Sequence, residues 1–224
     1  MPHARQHVHH AQMHAQTRTR ERRRHLAHEA ARLMAESGMR DYHQAKLKAA
    51  QRLGIFDDAS LPRNREIEEA LREYQRLFAG PGHAEGLRAR REAALRALEF
   101  LQAFSPRLVG AVLDGIADAH SSVQLHAYSD DAEAVMRFLE QHGIPAESRM
   151  RRLRLDPDRT ADLPVWVFSA EELTFDITVL PFAALRQAPL SSVDGRPMKR
   201  ASASQLRELL IKEEIASYEQ QAIR

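Results

Sequence analysis

Hydrophobic residues follow two different periods along this chain. Up to about Ala103 they recur every three or four positions, the spacing of one helical face. Leu26, Ala30 and Leu33 predict a first helix that stops at Gly38. Asp41 is placed to cap a second, which carries Tyr42, Ala45, Ala49 and Leu53 and closes at Gly54. Asn64 opens a third, with Ile67, Leu71, Tyr74 and Phe78 on one stripe and Gly80 behind it. A fourth spans roughly Ala84 to Ala103 with Leu87, Leu95, Leu98 and Leu101, and Pro106 ends it. Their short connections predict an antiparallel helical unit rather than a DNA-reading helix pair, because the second helix carries Lys46, Lys48 and Arg52 but few residues suited to base edges.

Beyond Pro106 the period shortens. Leu108 to Leu113 is an apolar run of strand length ending at Asp114-Gly115. Ser122 to Tyr128 alternates, with Val123, Leu125 and Ala127 on one side and Ser122, Gln124 and His126 on the other. Asp130 or Asp131 then caps a helix bearing Val135, Phe138 and Leu139, which ends near Gly143. Glu147 to Leu155 is basic and weakly alternating, as an edge strand would be. Val165–Ser169 and Leu173–Leu180 predict a hairpin around Ala170-Glu171-Glu172. A polar connection from Pro181 to Arg200 leads to a capping box, Ser202 with Gln205, and a C-terminal helix. The expected fold class is α+β or α/β, a helical unit followed by a small mixed sheet with flanking helices. The expected divisions are a disordered His- and Arg-rich tail (1–20), a helical domain (21–104), an α/β domain (105–200) and a C-terminal helix (201–224).

Composition changes this picture little. Of 224 residues, 43% are hydrophobic and 29% charged, and cysteine is absent, which excludes disulfides and thiolate metal sites. No apolar run approaches the roughly 20 residues that cross a bilayer, and the N-terminal stretch lacks the apolar core of a secretory signal, so a cytoplasmic protein without membrane contact is expected. The net charge is +2, but arginines cluster at Arg18, Arg20 and Arg22 to Arg24, at Arg149, Arg151, Arg152 and Arg154, and at Arg196, Lys199 and Arg200. These clusters suit solvated faces first and RNA or DNA phosphates second. His3, His7, His9, His10 and His14 are imidazoles on a tail expected to be too flexible for a fixed metal geometry.

The candidate chemistry lies between Leu108 and Tyr128 and at Asp176, in the segment Leu173 to Leu180 (LTFDITVL). A glycine-ended apolar strand, a loop, a Ser-x-h-x-h strand and a later strand with one central carboxylate form the layout of a metal-dependent nucleotidyl-transfer site. Such a site holds two divalent ions with carboxylates at i and i+2 of one strand and a third on its neighbour. Over about residues 105–182 the chain resembles the nucleotidyltransferase superfamily with the polymerase-beta-like minimal core. Gly115 matches the motif glycine, Ser121 the serine before the acidic pair, and Asp176 the third carboxylate. Ser122 and Gln124 occupy the two positions of the acidic pair, and Ile116 replaces the expected Ser or Gly. The helical front end resembles a group of uncharacterised bacterial proteins.

The resemblance implies nucleotide-binding by Gly115 and Ser121, a reacting centre at Ser122, Gln124 and Asp176, and magnesium held by Asp176 with Asp114 and Asp118 as replacement ligands. If active, such a transferase would move a nucleoside monophosphate from a triphosphate onto a hydroxyl. Ser122 and Gln124 remove two units of negative charge from a site built for two cations, so a nucleotide-binding but degenerate site is the leading expectation. A non-enzymatic nucleic-acid-binding or regulatory interaction protein is the alternative. Arg152 or Arg154 is expected to pair with Asp176 if the carboxylate is structural, because a buried charge must be solvated, paired or liganded.

Overall fold

The computed structural model describes residues 3–39, 41–78 and 81–222. The chain divides into two compact units, Met1–Gly80 and Pro81–Arg224.

The first unit contains α1 (His3–Ser37), α2 (Tyr42–Leu53) and α3 (Asn64–Phe78). Asp41 caps α2 as its position predicts, its Oδ1 accepting from the backbone N–H of His43 at 2.7 Å and Gln44 at 3.1 Å. Gly54 closes α2 in the left-handed region at φ 64°. Alanines let α1 pack closely on both neighbours. Leu26, Ala30 and Ala31 of α1, Ala45 and Ala49 of α2 and Ile67, Ala70 and Leu71 of α3 are all buried, and α1 packs against both other helices. Glu29 of α1 accepts from Arg32 at 2.8 Å and from Arg52 of α2 at 3.1 Å, and these guanidiniums, Arg32 foremost, hold its carboxyl below the usual range. Residues 3–20, expected to be a disordered tail, form the first turns of α1. Alanine, glutamine and arginine favour helix without any apolar stripe, which is why periodicity did not reveal it. Met1, Pro2 and the side chains of the tail histidines lie outside the described residues.

The second unit begins with α4 (Pro81–Phe100) and continues through β1 (Arg107–Val109), α5 (Gly110–Asp114), β2 (Val123–Tyr128), α6 (Ala134–Gln141), β3 (Glu147–Arg154), β4 (Thr160–Ala170), β5 (Leu173–Leu180) and α7 (Ala203–Ala222). The helical domain was expected to reach residue 104, but the division falls at Gly80 and α4 belongs with the sheet. Its stripe of Ala94 and Leu98, with Leu101 just beyond its end, is buried in one cluster with strand residues.

The five strands lie in the order β1-β2-β5-β4-β3, a mixed sheet in which only β2 and β5 run parallel. The basic segment is indeed an edge strand. The β4–β5 hairpin turns at Glu171 and Glu172, both at positive φ (52° and 62°), as a two-residue turn between right-twisted strands requires. The apolar run from Leu108 is a strand only as far as Val109, because Gly110 swings to φ 71° and starts α5. Ser202 and Gln205 form the predicted capping box of α7, with bonds of 2.9 and 3.3 Å.

One face of the sheet is the core. Leu108, Val123, Leu125, Ala127, Trp166, Phe168, Phe175, Ile177 and Val179 pack there with Leu98 and Leu101, Val112, Val135 and Leu139, and Leu206 and Leu210 from α4 to α7. A satellite cluster of Tyr128, Leu155, Leu163, Leu180 and Ala184 closes one end of the opposite face. The rest of that opposite face mixes polar side chains, among them Gln124, His126, Asp176 and Thr178, with Val109, Val165 and Val167. Among the described residues no helix is long and apolar enough to cross a membrane.

Candidate functional site

Strand register assembles the site. In the parallel β2–β5 pair Gln124 stands beside Asp176 and His126 beside Thr178, while antiparallel β1 places Val109 and Arg107 on their other side. Because alternate residues share a face, Gln124, His126, Asp176 and Thr178 all project away from the core. Two of the sequence-predicted residues, Gln124 and Asp176, are therefore neighbours.

Asp176 is only 7% exposed, so its charge needs an answer. Arg151 supplies it as a two-pronged fork, Nη1 donating to Oδ1 at 2.9 Å and Nη2 to Oδ2 at 2.5 Å. Nη1 also donates to Oγ1 of Thr178 at 3.1 Å. The expected partners, Arg152 and Arg154, are the wrong ones for a reason of parity. Glu147 pairs with Val167 and Val167 with Asp176, so odd-numbered residues of β3 share the face of Asp176 and even-numbered ones do not.

The remaining candidates are deployed differently. Ser122 immediately precedes β2, on the Gln124 side of the alternation. Ser121 Oγ donates to Asp118 Oδ1 at 2.7 Å and accepts from the Asp118 N–H at 2.9 Å, so the pair closes its own loop. Asp118 Oδ1 also accepts from the His120 N–H at 2.9 Å. Asp114 faces Lys199 at 3.4 Å. Gly115, at φ 77°, ends α5, and a Cβ there would meet Arg91 rather than Gln124. The glycine against the site is Gly110, where a Cβ would meet Gln124 Oε1. Two glycines five residues apart are equivalent to a motif reading until the end of β1 is known.

Two further residues escaped sequence analysis. Arg91, 3% exposed, donates from Nε to the Val112 carbonyl at 3.0 Å and from Nη2 to the Leu113 carbonyl at 3.3 Å, and pairs with Glu213 of α7. It caps α5 and ties that turn to α4 and α7. Arg90 fixes the following loop through the carbonyls of Ala119 (2.6 Å) and Ser121 (3.3 Å). On an amphipathic helix both read as solvent-facing charges.

His126, which alternation places on the polar side of β2, is a different case. It is 2% exposed and its buried Nδ1 has no hydrogen-bond partner. Burial, then the charges of Arg151 and Arg200, push its pKa down from 6.5 to about 3, so the imidazole is neutral. Arg200 itself donates to the Tyr128 hydroxyl and the Ala184 carbonyl, both at 2.9 Å, and to the Leu185 carbonyl at 3.0 Å. Several other members of the arginine clusters are also engaged, Arg149 with Glu147 and Arg154 with the carbonyls of Asp156 and Pro157.

Magnesium finds a poor donor set here. Hard divalent ions take several carboxylate oxygens, whereas Asp176 is already neutralised by Arg151, and Glu147 at the sheet edge accepts from Arg149. Among the described residues no group of three or more histidine, aspartate or glutamate side chains is placed to hold a metal ion. Compared with family models, with curated proteins and with solved structures, the chain gives no match.

Proposed function

We propose that the Pro81–Arg224 unit is a nucleotidyltransferase-like domain that binds nucleotides without magnesium and without transferring them. The observation that carries this reading is the Gln124–Asp176 neighbourhood with the Arg151 fork laid on Asp176. Three carboxylates on one sheet face repel a polyphosphate unless divalent cations stand between them. Serine at 122 and glutamine at 124 remove two of those charges, and a guanidinium fixed to the chain neutralises the third. The face then no longer repels phosphate, and it also lacks the ligands that would polarise a phosphoryl group. The neutral oxygens of Ser122 and Gln124 and the guanidinium edge are groups that hydrogen-bond a ligand. They are not groups that activate a hydroxyl nucleophile.

Calorimetric titration of the full chain with ATP, GTP, CTP and UTP, in EDTA and again in magnesium, tests the reading. Binding heat in EDTA with an affinity within about tenfold of that in magnesium, a difference of about 1.4 kcal/mol, is expected. Absence of heat with all four would overturn it. Binding confined to magnesium, together with transfer of labelled nucleoside monophosphate to an acceptor, would identify a working transferase instead.

A further inference from the structure

We infer that α1, along Arg18 to Arg24, is a docking helix for duplex DNA, lying in the major groove with arginines on both flanks against the phosphates. The inference is independent of the nucleotide reading, because it uses other residues in the other compact unit. From Gln16 to His25 no side chain of α1 is apolar, and five arginines with Glu21 leave a net charge of +4 between Arg18 and Arg24. Arg18, Arg20, Arg22 and Arg24 are all exposed. Elsewhere the chain answers exposed arginines with carboxylates: Glu29 and Glu36 for Arg32, Glu171 for Arg96, Asp131 for Arg137 and Glu99 for Arg207. Among the described residues Arg18 and Arg20 meet no carboxylate, and Arg24 meets only the His28 imidazole, at 3.5 Å. Arg22 has Asp57 at 3.8 Å, with the two side chains 58% and 44% exposed, a solvated pair that a phosphate readily replaces.

Helical geometry says which anion fits. Residues four apart stand about 40° apart around a helix axis, and residues two apart about 200°. Arg18 and Arg22 therefore form one flank of α1, and Arg20 and Arg24 form a second, roughly 160° away. Thr19, Arg23, Leu26 and Ala30 take the side that faces the rest of the unit, where Arg23 Nη2 donates to the Ala59 carbonyl at 2.5 Å. Glu21 and His25 occupy the outward side between the flanks. A flat acidic surface reaches only one flank at a time, whereas a groove with phosphates along each wall reaches both. The major groove of B-DNA, about 12 Å wide, takes a helix of about 10–12 Å diameter, and that of an RNA duplex is too narrow. Glu21 then points to the groove floor, where the amino groups of cytosine are donors. A lipid surface would need an apolar helical face, which this segment lacks. Contacts to phosphates position the helix without selecting a sequence.

The probe is a fluorescently labelled DNA duplex of mixed sequence, titrated with the full chain and read by anisotropy. Neutralising about four phosphates predicts a fall in affinity of about a hundredfold between 50 and 200 mM salt. Arg18→Gln, Arg20→Gln and Arg24→Gln together keep helix-forming side chains, and are expected to lower affinity at least about tenfold at 50 mM salt with the melting temperature unchanged. A control that loses the same charge, Arg96→Gln with Arg137→Gln and Arg207→Gln, is expected to bind DNA as the parent does. Binding by the first variant at parental strength, or a control weakened equally, would overturn the inference by leaving only diffuse attraction. Tighter retention of an RNA duplex, polyglutamate or phosphatidylserine vesicles than of DNA would give the helix another partner and overturn it too. The salt dependence needs no variant: a parent whose DNA affinity is flat from 50 to 200 mM, or that does not bind at all, rules the docking out. ATP calorimetry on the first variant is expected to match the parent, so the nucleotide reading stands or falls separately.

Discussion

Arg151→Leu is the perturbation that most clearly separates a paired carboxylate from a liganded one. The Asp176 side chain is 11% exposed and that of Arg151 32%, so the variant strands a nearly buried charge. Removing one partner of a fully buried pair costs about 3–5 kcal/mol, and the partial exposure of Arg151 reduces this to about 2–3 kcal/mol. Thr178, which is 0% exposed, loses the same donor. Replacing both partners, Arg151→Leu with Asp176→Val, removes the stranded charge and should return stability to within about 1 kcal/mol of the parent. Trp166 is the single tryptophan and lies on β4 of the same unit, so its fluorescence in urea follows this unit and not the helical one. A cycle of the two single variants and the double should thus give a coupling of about 2 kcal/mol. Arg151→Leu as stable as the parent, or a double variant as weak as the single, would refute the reasoning.

Three other outcomes follow from the geometry. The folded pKa of His126, about 3 against an ordinary 6.5, means that the unfolded chain takes up its proton first. The corresponding stability is complete above pH 6.5 and falls at up to about 1.4 kcal/mol per unit as pH drops, a slope that His126→Leu should remove between pH 6.5 and 5 in urea titrations. Arg91→Met should cost about 3 kcal/mol in the same assay, because the Val112 and Leu113 carbonyls and Glu213 lose their shared donor. Gly110→Ala should cost about 1 kcal/mol for its φ of 71° and push the Gln124 amide aside, weakening ATP binding. Gly115→Ala should pay the backbone cost alone, and calorimetry on the two variants checks the difference.

Local chemistry made much of this fold legible. Asp41, Gly54 and the Ser202–Gln205 box act on neighbouring backbone groups, so their sequence positions fix what they do. Alternation in Ser122–Tyr128 and the Ala170–Leu173 turn likewise gave two neighbouring elements of the sheet. Legibility failed where a partner lies far along the chain. The stripe on α4 reads the same whether it packs on helices or on a sheet. Which of Arg151, Arg152 and Arg154 reaches Asp176 depends on register across two strand pairs. Gly110 and Gly115 differ only in where β1 stops. His126 looked like the polar side of a half-buried strand, and only three-dimensional placement buries it.

The most direct measurement is a map of backbone amide shifts as ATP is added in EDTA. The expected result is a set of changes centred on Gly110, Gln124, His126, Arg151 and Asp176 that is retained when magnesium is supplied. Changes confined to other surfaces, or appearing only once magnesium is present, would contradict a guanidinium-neutralised nucleotide site.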